Sequence, residues 1–215
     1  MDSILPNQWG FSYFRAPVRQ VVPYASVNLW RVFRGVKSQY FSTATERIRA
    51  ESDSKARKNL KANTLDFCCF GCIVDRRHTS AVCSVSGLMV LDFDHVVRPD
   101  DSGFVDPSAV FSVLSALVRQ YQALFAFRSP SGDGVKLVIN VAGEWESRAG
   151  LRRGALLVGD AERRAAADAY GAIFDDIRDA VTCDGYDLDK SGRDLVRACY
   201  LCHDDFAFID YTLLP

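Results

Sequence analysis

Apolar residues recur along this chain with two periods, and the switches between them predict its elements. F-S-Y-F-R-A-P-V-R (11–19) alternates with the period of a strand that ends near Pro17. From Ser26 to Ala50 the period lengthens. Val27, Trp30, Val32, Phe33, Val36 and Tyr40 form one stripe with basic residues between them, which predicts a mainly helical segment. Ser52 to Lys58 carries no stripe and reads as an exposed, mobile, charged connection. T-L-D-F-C-C-F-G-C-I-V (64–74) predicts a strand or hairpin arm, and Gly87 to Val97 the next strand. Asp106-Pro107 supplies an N-cap and a proline at the first helical position. Behind it, Val110, Val113, Leu114, Leu117, Val118 and Tyr121 recur at helical spacing.

Two further strands, 125–129 and 135–141, flank the loop P-S-G-D-G. Residues 142–155 give no clear pattern, 160–181 is an alanine-rich helix, and 197–202 and 206–211 close the chain as strands. This irregular alternation predicts an α+β fold, a mixed and largely antiparallel sheet with flanking helices. Residues 1–63 form an N-terminal strand and basic helical lobe packed on a core of 64–215.

Bulk composition is that of an ordinary globular chain, with a net charge of −1, but the charge is unevenly placed. Between Arg31 and Asn63 stand nine basic residues against three acidic ones, so that segment is +6 and the remainder −7. Such asymmetry can mark a surface that faces a polyanion such as DNA, with Arg47, Arg49, Lys55, Arg57 and Lys58 as the candidates, although a solvated helix face is the more common cause. Met1 to Gly10 has neither a basic start nor an apolar run, and no stretch is long and apolar enough to span a membrane. Seven cysteines in apolar contexts fit a reduced, cytoplasmic protein without a membrane partner. Cys69 and Cys72 with Cys199 and Cys202 could supply four thiolates to zinc, but residues three apart on a strand face opposite ways.

S-G-L-M-V-L-D-F-D-H (86–95) is the most informative stretch. Residues two apart on a strand share a face, so Asp92 and Asp94 lie together with Leu88 and Val90, about 6–7 Å apart. At an effective dielectric of 20 their charges repel by roughly 2.5 kcal/mol, and a divalent cation with hard oxygen ligands removes that penalty. Three chemistries use such a pair: two-metal nucleotidyl transfer, a haloacid-dehalogenase-like phosphatase with Asp92 as nucleophile, or a sugar-nucleotide site. The bland reading is a strand end whose carboxylates cap the following turn. His95, one residue on, faces the other way and could fix the strand end.

R-S-P-S-G-D-G-V-K (128–136) can turn tightly and present N–H groups to an anion, with Arg128 and Lys136 adding charge, although it is also plain hairpin chemistry. D-L-D-K-S-G-R-D-L-V-R (187–197) offers a third carboxylate from Asp187, Asp189 or Asp194, and Arg197 as a phosphate contact. It equally suits a solvated acidic loop.

These three blocks, in this order, resemble the N-terminal domain of virulence-associated protein E-type proteins. Those domains are similar to the archaeo-eukaryotic primase superfamily, the primase-polymerases. The resemblance implies an RRM-like primase palm working beside a helicase-like partner in bacterial mobile elements or prophages. It makes Asp92, Asp94 and Asp189 the catalytic carboxylates, holding Mg²⁺ or Mn²⁺. Arg128, Ser129, Ser131, Gly132, Gly134, Lys136 and Arg197 would then bind a nucleoside triphosphate, and a single-stranded DNA template would follow the basic segment. One position departs from the pattern: many primase-polymerases have a histidine where this chain has Lys136. That departure favours the competing reading, a non-catalytic DNA-binding module on the same fold.

Overall fold

The computed structural model describes residues 10–183 and 185–213, so the leader expectation drawn from the first ten residues falls almost wholly outside it. The N-terminal alternation forms β1 (Phe11–Phe14), shorter than its pattern, with Phe11 and Phe14 fully buried. The segment expected to be mainly helical over 26–50 is so, but it begins in a short strand and its helix is broken. β2 (Ala25–Val27) pairs with β1, α1 (Leu29–Lys37) follows, and a 3₁₀ turn at Gln39–Phe41 leads into α2 (Ser42–Ala50). Local capping makes the breaks. Asn28 Oδ1 accepts from the Arg31 N–H at 2.9 Å and starts α1, while the Ser38 hydroxyl donates to the Gly35 carbonyl at 2.7 Å and ends it.

The mobile connection expected at Ser52 to Lys58 is corrected outright. Asp53 Oδ1 accepts from the Ala56 N–H at 2.7 Å and opens α3 (Ser54–Thr64). No residue of this helix is fully buried, which is why it shows no apolar stripe; strong helix formers and the cap support it, and half-buried Leu60 packs against the core.

Two sheets follow. β3 (Phe67–Cys69) leaves β4 (Cys72–Val74) to pair with β5 (Val82–Val85) and joins β1 itself. β6 (Leu88–Asp94) is followed by α4 (Pro107–Gln120), β7 (Phe125–Arg128) and β8 (Val135–Asn140). α5 (Ala142–Ala149) fills part of the stretch without a pattern, and α6 (Asp160–Cys183) is the alanine-rich helix. β9 (Asp187–Leu188), β10 (Cys199–Tyr200) and β11 (Phe208–Ile209) are short. The orders are β10-β3-β1-β2 and β11-β7-β8-β6-β9, and every pairing is antiparallel. The fold is therefore α+β with antiparallel sheets and flanking helices. Strands from the first 63 residues and β10 share one sheet through β3.

The faces of β6 explain where its carboxylates end up. Met89, Leu91 and Phe93 pack with Val110 and Leu114 of α4, Trp145 of α5 and Ile173 of α6. Leu88, on the other face, joins Phe125, Phe127 and Val138 with Phe11, Cys68 and Val36 of the N-terminal region. The five-stranded sheet is thus covered on both sides. Asp92 and Asp94 continue the Leu88 face, so they emerge on the side of the sheet that meets the four-stranded one. No helix among the described residues is long and apolar enough to cross a membrane.

Candidate functional site

Asp92 stands directly opposite Lys136 in the antiparallel β6–β8 register. The Lys136 ammonium is ion-paired to Asp92 Oδ2, and its side chain is only 7% exposed. An internal counter-ion is what lets a carboxylate sit in so apolar a strand. Burial alone would lower the Lys136 pKa; the Asp92 charge and hydrogen bond outweigh it and raise the pKa instead. The other carboxylate oxygen, Asp92 Oδ1, is buried without a hydrogen-bond partner.

β9 brings the third block against this strand end. Asp94 pairs in register with Asp187, and the Asp189 N–H donates to the Asp92 carbonyl at 2.9 Å. Asp94 is among the exposed residues, yet the protein around its carboxyl desolvates it. That burial and the Asp92 charge push its pKa up, against the pull of Lys136. Asp189 behaves the opposite way. Burial would raise it, but the Ser191 hydroxyl and N–H (the latter at 2.9 Å) and the Arg197 charge hold it below the usual carboxylate value. Its Oδ2 also meets Arg197 at 3.5 Å. Asp187 is exposed, and Asp194 accepts from the Val196 N–H at 3.1 Å. Asp92, Lys136, Asp189 and Arg197 line one cavity of about 60 Å³, walled by Tyr170 and Tyr200. That is room for a few waters or a partly hydrated ion, not for a nucleoside.

The glycine loop is the β7–β8 hairpin and lies against the end of β6. Gly132 has φ +91°, and a Cβ on Gly134 would sit 2.5 Å from the Phe93 carbonyl, so a side chain there would push the loop off the strand. The turn closes through Ser129 N–H to Gly134 O at 2.8 Å and Gly134 N–H to Ser129 Oγ at 3.2 Å. His95, at φ 51°, lies just past the strand, and its Nδ1 meets Asp133 Oδ2 at 2.6 Å, tying the strand end to the loop.

One residue here was missed as a candidate. The Lys61 ammonium, from the last turn of α3, hydrogen-bonds the Ser131 hydroxyl. Burial and the Lys136 charge lower its pKa, while Asp133, Asp92 and Asp94 pull it up, so it belongs to the same charge cluster. Its one sequence signal was membership of the basic segment.

Other expected residues are placed elsewhere. Arg128 is absent from the acidic cavity; it holds the Gly132 carbonyl at 2.5 Å through Nε and lines a different cavity with Arg49. Arg49 reaches the Ser129 carbonyl at 3.3 Å, and Arg57 caps the Glu51 carbonyl at 2.8 and 2.5 Å. Arg47, Lys55 and Lys58 are exposed and form no ion pair among the described residues. Cys69, Cys72, Cys199 and Cys202 are free and buried, and burial pushes the thiols of Cys69, Cys199 and Cys202 up to about 12. Cys69, Cys72 and Cys202 each donate to a backbone carbonyl, of Val196, Leu195 and Arg128 respectively.

Among the described residues no three His, Cys, Asp or Glu side chains are grouped so as to hold a metal ion, and Asp189 is engaged by Ser191 and Arg197. The donors on offer to a cation are the partnerless Asp92 Oδ1 and the Asp94 carboxylate. That set fits Mg²⁺, which is commonly held by one or two carboxylates, with waters and substrate phosphates completing its shell.

No curated protein and no solved structure matches the chain. A family model described as "BT4734-like, N-terminal domain" matches residues 59–208, a span that takes in Lys61, the Asp92–Asp94 strand end, the glycine loop and the Asp189–Arg197 segment. The chain belongs to the family of BT4734-like N-terminal domains.

Proposed function

We propose that this domain is a primase-polymerase-like nucleotidyltransferase that extends or initiates strands on a single-stranded DNA template. The observation that carries this reading is the meeting of Asp92, Lys136, Asp189 and Arg197 around one cavity, from three segments far apart in sequence. Asp92 Oδ1 and Asp94 would hold Mg²⁺ or Mn²⁺. When bound, such an ion activates the attacking 3′-hydroxyl and stabilises charge at the α-phosphate. Lys136, Lys61 and Arg197 neutralise the triphosphate and the departing pyrophosphate, and Asp189 positions Arg197 for that task. The glycine loop lets the backbone approach the phosphates. Exposed Arg47, Lys55 and Lys58 follow the template backbone electrostatically. By its resemblance to virulence-associated protein E-type domains, the protein acts in the cytoplasm beside a helicase-like partner, in replication or mobilisation of a mobile element.

A second reading, a non-catalytic DNA-binding module, is favoured by one observation: Lys136 already occupies an oxygen of Asp92. Extension of a primed single-stranded template with Mg²⁺ or Mn²⁺ separates the two. Asp94→Asn is the informative variant, because Asp94 is exposed while Asp92→Asn would strand a buried ammonium. The nucleotidyltransferase reading expects a loss of about 100-fold or more in Asp94→Asn with its fold retained by circular dichroism. No extension by the wild type with either ion, alongside salt-sensitive DNA binding that Asp94→Asn leaves intact, establishes the module instead.

A further inference from the structure

A second cavity, of about 200 Å³, shares no lining residue with the acidic cleft. Its floor is apolar, from Val110 and Leu114 of α4. At its rim stand two aromatic rings that the core does not use. Phe111 is 44% exposed and Phe206 60%, and their centroids lie 5.4 Å apart. Burying them against each other leaves most of Phe206 in water, so something planar and apolar would be welcome on that surface.

The polar wall consists of Arg49 and Arg128. Each reaches a carbonyl of the glycine loop, Ser129 and Gly132 respectively, and neither guanidinium forms an ion pair among the described residues. Arg49 Nε is buried with no hydrogen-bond partner. Burial and the Arg49 charge both lower the Arg128 pKa, as expected for two partly desolvated cations held near each other. Two such groups repel, and an anion between them removes the repulsion and satisfies the orphaned donor.

Two carboxylates also line the cavity. Asp204 is buried and occupied, accepting from the N–H groups of Arg128 at 2.7 Å and Phe206 at 3.1 Å. Asp205 is exposed and stands 3.4 Å from His203 Nε2. Their charge opposes that of the two guanidinium groups, so the site does not favour a highly charged anion.

We propose that this cavity binds one nucleotide unit, with its base against Phe111 and Phe206 and its phosphate on Arg49 and Arg128. The unit comes either from a free nucleoside monophosphate or from a single strand, and the second source rests on the nucleotidyltransferase reading.

The test is fluorescence anisotropy of a fluorescein-labelled twelve-residue oligothymidylate at low salt, competed with thymidine 5′-monophosphate or with thymidine. Phe111→Ala/Phe206→Ala is the main variant, since both rings are exposed and dispensable to the fold; Arg49→Gln is the second. The double variant should bind the oligonucleotide about tenfold more weakly, the size of one lost base stack. Thymidine should compete far less well than its monophosphate against the wild type, and Arg49→Gln should erase that difference. Competition by the monophosphate assigns the free nucleotide as a ligand; weakened oligonucleotide binding without such competition assigns the strand. Wild-type affinity in the double variant overturns the proposal, and so does loss of binding in Asp94→Asn, which would move the site to the acidic cleft. Retained, ring-dependent binding without strand synthesis leaves this site standing and sinks the catalytic reading alone.

Discussion

The acidic cleft and the arginine-lined cavity hold their charges in opposite ways. In the cleft, Lys136 meets Asp92 across two central strands, and Arg197 meets Asp189, so most of the charge is balanced within the protein. In the cavity, Arg49 and Arg128 reach backbone carbonyls and form no ion pair among the described residues, although Asp204 and Asp205 line it too, and Arg49 Nε is left without a hydrogen-bond partner there. Charge held in direct ion pairs stabilises the empty fold and must be rearranged by a ligand, whereas a cation without a direct ion pair can be stabilised by the ligand itself. The cleft contains this contrast in miniature. Asp92 is paired and Asp94, on the same strand face, has no ion pair among the described residues, so the first supports the fold and the second is available to a cation.

Removing the counter-ion breaks the comparison most severely. Lys136→Ala should destabilise the protein by about 3 kcal/mol, because it leaves the largely buried Asp92 carboxylate alone between the sheets. Asp92→Leu/Lys136→Met should recover most of that loss, since an apolar pair of similar volume avoids the desolvation of both charges. Urea unfolding measures both. A single variant within 0.5 kcal/mol of wild type would show that the pair does not hold the strand end, and the contrast with the cavity would lose its basis.

How much of this was legible in the sequence depends on whether the signal was local. Alternation along 88–94 placed Asp92 and Asp94 on one face, and Asp106-Pro107 marked the start of α4. The order of the three blocks announced a shared cleft. The pairing of Lys136 with Asp92 was not legible, because it depends on the β6–β8 register and these strands are not consecutive: α4 and β7 lie between them. α3 escaped notice because a helix with no fully buried residue has no stripe, and Lys61 escaped with it. Arg128 sits beside the glycine loop in sequence, yet its side chain, held by the Gly132 carbonyl, lines the other cavity with residues of α2 and α4.

Asp94 gives a smaller and pH-dependent test of the same contrast. Its carboxyl pKa is raised in the folded protein, so the native state holds its proton more tightly than the unfolded chain does. The sign follows: as pH rises through the usual carboxylate range near 4, wild type loses stability on account of this group, and the loss is complete above the folded pKa. Asp94→Asn should therefore melt higher than wild type at pH 7 and together with it near pH 3. Millimolar Mg²⁺ should raise the melting temperature of wild type and leave Asp94→Asn unmoved. A variant that melts lower at pH 7 would mean that Asp94 is stabilised by partners, and that its charge is balanced like that of Asp92.

The smallest effect concerns cations outside both regions. Lys55 and Lys58 are exposed on α3, so replacing both with glutamine should leave stability within about 0.5 kcal/mol of wild type. Contacts of this kind act through counterion release, and each phosphate neutralised on a single strand contributes about 0.7 to the slope of log affinity against log salt. Lys55→Gln/Lys58→Gln should then flatten that slope by about 1.4 for the oligothymidylate. It should not alter competition by thymidine 5′-monophosphate, which depends on Arg49 and Arg128. Arg49 and Arg128 are partly buried and less open to screening by salt, so the two sets of cations should separate cleanly when ionic strength is raised. An unchanged slope would place the strand away from α3 and leave the cavity as its principal contact.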